Sequence, residues 1–350
     1  MSLSLDDYRL LGRSGLRVSP LSLGTMTFGT PGWGTEYDEA RRMFDHYRER
    51  GGNFVDTANF YAAGESERML GRMAAEVRQQ VVIATKYSLT MRPGDPNASG
   101  NQRKNMVQAV EDSLQRLGTD YIDLLYLHLW DDRTPAEEVL RAFDDLVRAG
   151  KILYVGISDT PAWEVSRMQA IADLRGWSPL VALQVPYALT ERTVEREFMP
   201  MARKLGLGVL PWSPLAGGVL TGKYTRADLA AQPQDMSSRK NINLATGRLT
   251  EKSLAIAEVV AEVAAELGRS SAQVALAWTL LNPAVASPII GARTFAQLED
   301  NLAALEVTFN ADQVERLDAI SRVETCFPQT MIGTPTGDMM LGNVKVATRG

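Results

Sequence analysis

A short apolar run, Asn53-Phe54-Val55, ends on a carboxylate, Asp56, and five positions later a phenol, Tyr61, stands among small and polar residues in what reads as a surface loop. Two further apolar runs also finish on chemistry. "VVIATKY" carries Lys86 and "IDLLYLHLW" carries His128. A carboxylate, an ammonium, a phenol and an imidazole, if gathered, can hold and move a proton. Each alone has a plainer account: a strand-end aspartate caps a turn, a lone histidine is hydrogen-bonded in a core, and a lone lysine snorkels. Together they are harder to dismiss. Burying a carboxylate and an ammonium in one place costs on the order of several kcal/mol unless they pair, and a pair beside a tyrosine has an obvious chemical use.

The elements that must position them alternate. Strand-like runs fall at Leu21–Met26, Asn53–Ala58, Val81–Tyr87, Ile122–Leu129, Ile152–Ser158, Leu180–Tyr187, Leu207–Trp212 and Ala286–Ala292, with amphipathic helical patterns between them. From Lys104, Val107, Val110, Leu114 and Leu117 recur at spacings of three and four. "TPAEE" predicts a helix with Thr134 as N-cap, Pro135 in the first turn and Glu137 closing a capping box; it presents Leu140, Phe143 and Val147 and stops at Gly150. Other helices read from Glu36, Gly64, Pro161, Glu195, Thr250 and Thr294.

Eight such units predict either a closed (β/α)8 barrel or a doubly wound sheet. The glycines of "LSLGTMTFGTPGWG" have the wrong offsets for a dinucleotide fingerprint, which favours a TIM barrel. "YRLLGRSGLRVS" reads as a hairpin turning at Ser14-Gly15 that floors it. The chain from 1 to 350 reads as one domain, with a core over roughly 8–322 and a C-terminal helix and tail, 323–350 being the tail. A long polar connection after the seventh strand, Thr225 to Gly247, is expected to be a lid. In a barrel, chemistry collects at the C-terminal ends of the strands, and those ends also carry Ser158-Asp159, Gln184 and Trp212-Ser213.

Bulk composition narrows the field. With 45% hydrophobic and 23% charged residues, the chain has ample material for a core. A net charge of -5 with interspersed signs points to neither nucleic acid nor an anionic membrane as partner. The one cysteine, Cys326, excludes an internal disulfide and fits a reducing, cytoplasmic setting. With it and two histidines, His46 and His128, no thiolate- or imidazole-rich metal site is expected.

"DTANFYAAGESERMLG", "ATKY", "IDLLYLH", "VGISD", "PWSPLAGGVLTGKY" and "GARTFAQLEDN" occur in order across Tyr8 to Leu305. Together they resemble the aldo-keto reductase superfamily, especially its bacterial aryl-alcohol-dehydrogenase-like and potassium-channel β-subunit branches. The resemblance implies a TIM barrel that binds NADP(H) extended across its mouth without a Rossmann domain. By it, Tyr61 is the general acid that protonates a carbonyl oxygen. Lys86 lowers the phenol's pKa from its ordinary value of about 10, Asp56 orients Lys86, and neutral His128 hydrogen-bonds the substrate oxygen.

The same resemblance assigns the cofactor contacts. Gly24, Thr25 and Met26 would lie under the nicotinamide, Ser158 and Gln184 would bind its carboxamide, and Tyr187 would stack on its ring. Asp159 stands where many members carry asparagine, at the cost of one donor. Trp212, Ser213, Pro214, Leu215 and Gly217 through Lys223 would follow the pyrophosphate. In the segment opening at Gly291, Arg293 would meet a 2'-phosphate, with Gln297, Asp300 and Asn301 facing the adenosine; Thr294 and Gln297 read equally as a capping box. Trp33, Tyr87, Trp130 and the 225–247 connection suggest an aromatic cleft for a small carbonyl substrate.

Two other functions fit some of these residues: a nucleotide-sensing regulatory subunit with little turnover, and a phosphate-binding isomerase or aldolase barrel using Lys86 alone.

Overall fold

The computed structural model describes residues 3–230, 238–332, 342 and 344. β1 (Arg9–Leu10) and β2 (Arg17–Val18) form the antiparallel hairpin. Eight parallel strands follow: β3 (Ser22–Gly24), β4 (Phe54–Asp56), β5 (Val82–Tyr87), β6 (Ile122–Leu127), β7 (Ile152–Ser158), β8 (Leu180–Pro186), β9 (Gly208–Trp212) and β10 (Ile289–Gly291). They pair in chain order from β3 to β9, with β10 beside β3. The ring is closed on its last side by Val209, whose N–H donates to Ala284 O at 2.9 Å and whose carbonyl accepts from Ala286 N at 2.8 Å. This is a (β/α)8 TIM barrel.

The helices on its outside are α1 (Tyr37–Glu49), α2 (Glu65–Ala74), α3 (Arg103–Leu117), α4 (Ala136–Arg148), α5 (Ala162–Arg175) and α6 (Phe198–Leu205). After β9 come α7 (Arg226–Leu229), α8 (Arg239–Ala245), α9 (Glu251–Leu267) and α10 (Ser271–Thr279), and after β10 come α11 (Phe295–Leu302) and α12 (Ala311–Ser321). None among the described residues is long and apolar enough to cross a membrane.

Strand alternation explains why the chemistry stands at the mouth. Successive side chains point to opposite faces, so Val82, Ala84 and Lys86 share the inner face of β5. Leu124 and Tyr126 lead in the same way to His128, Phe54 to Asp56, Ala182 to Gln184 and Leu210 to Trp212. The lower rungs of these ladders, with Leu11 and Val18 of the hairpin, form one buried cluster inside the barrel. The hairpin is pressed against the strand starts: a side chain at Gly12 would fall 2.3 Å from Val181 O. Gly156 leaves room for the Tyr126 ring, which a side chain there would meet at 2.4 Å. The outer faces pack a larger core with the helices, including Val55, Ile83, Leu125 and Val155.

Three expectations change. Thr134 does not cap α4: Pro135 is the N-cap residue, and the Thr134 hydroxyl donates to Asp131 Oδ2 at 2.8 Å instead. Glu137 therefore closes no capping box. The 225–247 connection is not a structureless lid, since α7 and α8 lie within it; Arg226 pairs with Glu251 and Glu258, and Asn243 Nδ2 donates to Gly217 O at 3.1 Å. Its residues 231–237, like most of the tail beyond 332, lie outside the described residues.

Candidate active site

Lys86 is wholly buried at the top of the barrel interior. Its ammonium donates to Asp56 Oδ1 at 2.5 Å, to Thr57 O at 2.8 Å and to Tyr61 Oη at 3.2 Å. Gln184 Nε2 donates to the other Asp56 oxygen at 2.8 Å. The Tyr61 and His128 rings meet edge-on, centroids 6.0 Å apart. The four residues first singled out thus converge on one point, at the ends of β4, β5 and β6 and in the turn after β4.

Burial dominates the electrostatics. It pushes the Asp56 carboxyl up against the pull of Lys86 and Gln184. Burial pushes Lys86 down, but Asp56 and Tyr61 outweigh it, and its pKa stands above the ordinary lysine value. The pair holds because either charge alone would be stranded in the interior. For Tyr61 the expected lowering is corrected. Burial raises its pKa above the ordinary value, and the opposing effect of Lys86 is the smaller; the ring is only half-buried, so solvent tempers that rise. Burial and then Lys86 bring His128 down to about 3, so its imidazole is neutral over the ordinary range.

Beyond this point the mouth is lined with polar atoms that have no partner among the described residues. Ser158 Oγ, His128 Nδ1 and Trp130 Nε1 are buried without one, and buried polar groups left this way normally meet a ligand or water. Asp159, in left-handed conformation at φ 38°, accepts from the Trp212 indole at 3.1 Å. Burial raises its carboxyl, against Trp212 and Lys86. Met26 and Leu129 are exposed on the rim, as is Phe60 next to Tyr61.

A cationic cluster lies beyond the end of β9. Lys223, Arg239, Arg248 and Arg293 pair with no carboxylate among the described residues. Burial and then Arg293 and Arg239 lower Lys223; burial and then Arg248 lower Arg239. Ser213, Ala216, Gly217 and Gly218, between the Trp212 ring and these cations, all have positive φ. Such left-handed residues can turn successive backbone N–H groups toward an anion. Orphaned donors at one end and unmatched cations at the other suit an elongated, multiply anionic ligand.

The remaining residues assigned from the sequence have the following surroundings. Tyr187 is buried against Trp278 of α10, centroids 5.1 Å apart, with its hydroxyl donating to Glu195 at 2.7 Å. Trp212 is the half-buried aromatic that faces the mouth. Tyr87 is likewise buried, its hydroxyl donating to Asn101 O. Trp33 lies under the Arg239 guanidinium at 4.9 Å. Gly24 and Thr25 are buried, and the Thr25 hydroxyl faces Ser66 of α2. Pro214 is buried and Leu215 half-buried in the turn after β9, and Gly291 is exposed at the end of β10. Arg293 and Gln297 are exposed, with Gln297 Oε1 accepting from Arg293 N at 2.9 Å. Asp300 is taken up by Ser270 and Gln273, and Asn301 donates to Gly291 O. Arg239 lies within the connection read as a lid and Arg248 immediately follows it, and neither was singled out from the sequence.

Fold and site define a TIM barrel with a buried lysine–carboxylate pair touching a tyrosine at its mouth, and comparison with known proteins supplies the family. The Aldo/keto reductase family model matches residues 20–322, and the chain belongs to that family. It is similar to an uncharacterised oxidoreductase, YrpG, of Bacillus subtilis, at 39% identity over 90% of this chain and 95% of that protein. It is 36% identical to a norsolorinic acid reductase of Aspergillus flavus, over 95% of this chain and 86% of that protein. A putative aryl-alcohol dehydrogenase of Saccharomyces cerevisiae, AAD14, is 34% identical over 94% of this chain and 90% of that protein.

Proposed function

We propose that the protein is an NADP(H)-dependent reductase of aldehydes or ketones, with Tyr61 as general acid. The observation that carries this reading is the contact chain from Asp56 through Lys86 to Tyr61, with neutral His128 edge-on to the phenol. A bound nicotinamide would supply the hydride, and this chain's own groups manage the proton. Ser158, Asp159 and Gln184 would hold the carboxamide end and Trp212 would lie against the ring. The turn from Ser213 to Gly218 would meet the pyrophosphate, and Lys223, Arg239, Arg248 and Arg293 the remaining charge, including a 2'-phosphate.

The raised pKa of Tyr61 keeps the phenol protonated at neutral pH, as an acid must be. Once its proton passes to the carbonyl oxygen, the phenolate faces the Lys86 ammonium at 3.2 Å, which offsets the burial that otherwise disfavours it. His128, neutral, has one N–H to donate to the same oxygen and steadies the charge developing there. Met26, Phe60 and Leu129 make the rim apolar. With a relative named for an aryl alcohol, that favours an aromatic carbonyl substrate.

Fluorescence titration with NADPH and NADH tests the cofactor. A charge-assisted arginine–phosphate contact is worth about 1.5–3 kcal/mol, so NADPH should bind roughly ten- to a hundredfold more tightly. Equal dissociation constants would contradict the assignment.

A further inference from the structure

Tyr61 is followed by three consecutive left-handed residues: Ala62 at φ 48°, Ala63 at φ 52° and Gly64 at φ 88°. Glycine adopts this conformation freely, but a residue with a Cβ is strained in it. Two alanines in succession are therefore a local cost that surrounding contacts must maintain. Gly64 is itself confined, since a side chain there would fall 2.7 Å from Arg116 Cδ.

Those contacts come from the next two residues to carry buried polar groups. Ser66 Oγ lies 2.7 Å from Thr25 Oγ1 and 3.0 Å from Thr57 Oγ1, and donates to Thr25 O at 2.8 Å. Glu67 accepts from Thr85 Oγ1 and from Arg116 Nε, both at 2.6 Å. Ser66 and Glu67 are fully buried. Thr57 and Thr85 stand on the outer face of the barrel, one position from the inward-facing Asp56 and Lys86. The first turn of α2 is thus bolted to the outer side of the same strand ends that hold Asp56 and Lys86 on the inner side. Only the left-handed link separates that bolt from the phenol.

We propose that Ser66, Glu67 and the Ala62–Gly64 link are a positioning device for Tyr61, which uses a rigid, strained connection to fix the phenol against Lys86. This rests on the reading of Tyr61 as the acid. A plain structural anchor would serve stability alone; a positioning device trades some stability for placement.

The test is the double variant Ala62→Gly/Ala63→Gly, which removes strain and adds backbone freedom, with Ser66→Ala and Tyr61→Phe alongside. Thermal midpoint, NADPH dissociation constant, and kcat and KM for an aromatic aldehyde are measured for each. The double glycine variant is expected to melt at or above the wild-type temperature and bind NADPH equally well. Its kcat should fall roughly ten- to a hundredfold, the scale of losing a fixed near-attack geometry. Ser66→Ala should lower kcat with unchanged NADPH affinity. A glycine variant that turns over at the wild-type rate, or that melts lower, overturns the inference even where Tyr61→Phe is inactive. Wild-type turnover by Tyr61→Phe would instead overturn the reading of Tyr61, and the positioning role with it.

Discussion

Gln184 Nε2 donates to Asp56 Oδ2 at 2.8 Å, the carboxylate oxygen that Lys86 does not use. Both oxygens of a buried anion are thereby occupied, one by a charge and one by an amide. The pairing also fixes which way Gln184 faces, leaving its carbonyl oxygen as the group it can present to a ligand. Replacing Gln184 with Leu leaves one Asp56 oxygen buried and bare. We expect a loss of about 1.5–3 kcal/mol, the worth of a hydrogen bond to a charged group, read as a lower urea midpoint at unchanged slope. An unchanged midpoint would show that water serves that oxygen equally well.

Lys86→Met should cost more. It strands Asp56 as an uncompensated charge where the pair is almost wholly buried, and breaking a buried pair from one side costs about 3–5 kcal/mol. Lys86→Met with Asp56→Asn removes both charges and should recover much of that stability without recovering turnover. Equal instability of the single and double variants would argue that the two side chains do not act as a pair.

His128 makes the protein's acid stability distinctive. Its folded pKa of about 3 lies below the ordinary value of 6.5. Between those limits the unfolded chain binds a proton that the folded chain does not. The stabilisation is therefore complete above 6.5 and is lost as pH falls toward 3, by at most about 1.4 kcal/mol per pH unit. Unfolding free energies of wild type and His128→Gln, compared from pH 7 to 4, should diverge in that sense, with wild type the steeper. Parallel curves would mean that His128 titrates normally.

The four cations near β9 that pair with no carboxylate among the described residues predict a ligand-specific stabilisation. 2',5'-ADP should raise the thermal midpoint well above the rise given by 5'-AMP, because only the former adds a phosphate for Arg293 to meet. Arg293→Ala should bring the two shifts together. Equal shifts in the wild-type protein would place the 2'-phosphate elsewhere or nowhere.

Much of this was legible in the chain because period-two alternation is a strong signal. Once Val82 and Ala84 face inward, Lys86 must, and the same count carries Leu124 and Tyr126 to His128. What was not legible depended on partners far away in sequence. Tyr187 follows a strand just as Asp56 ends one, yet its ring is claimed by Trp278, a residue of α10 that no local pattern connects to it. The 225–247 connection looked structureless because its anchors, Glu251, Glu258 and Gly217, lie outside it. Thr134 looked like a cap until Asp131 competed for its hydroxyl. The fall of the Tyr61 pKa was expected from Lys86 alone; the degree of burial that reverses it is a property of the assembled mouth.

The central claim is that the Tyr61 hydroxyl delivers the proton. Tyr61→Phe deletes that hydroxyl and little else, so folding and NADPH affinity should stay near wild type. Single-turnover loss of nicotinamide absorbance with a simple aromatic aldehyde measures the reaction itself. We predict a rate at least about a hundredfold below wild type, the usual worth of a positioned general acid. Reduction by Tyr61→Phe at close to the wild-type rate would contradict the account.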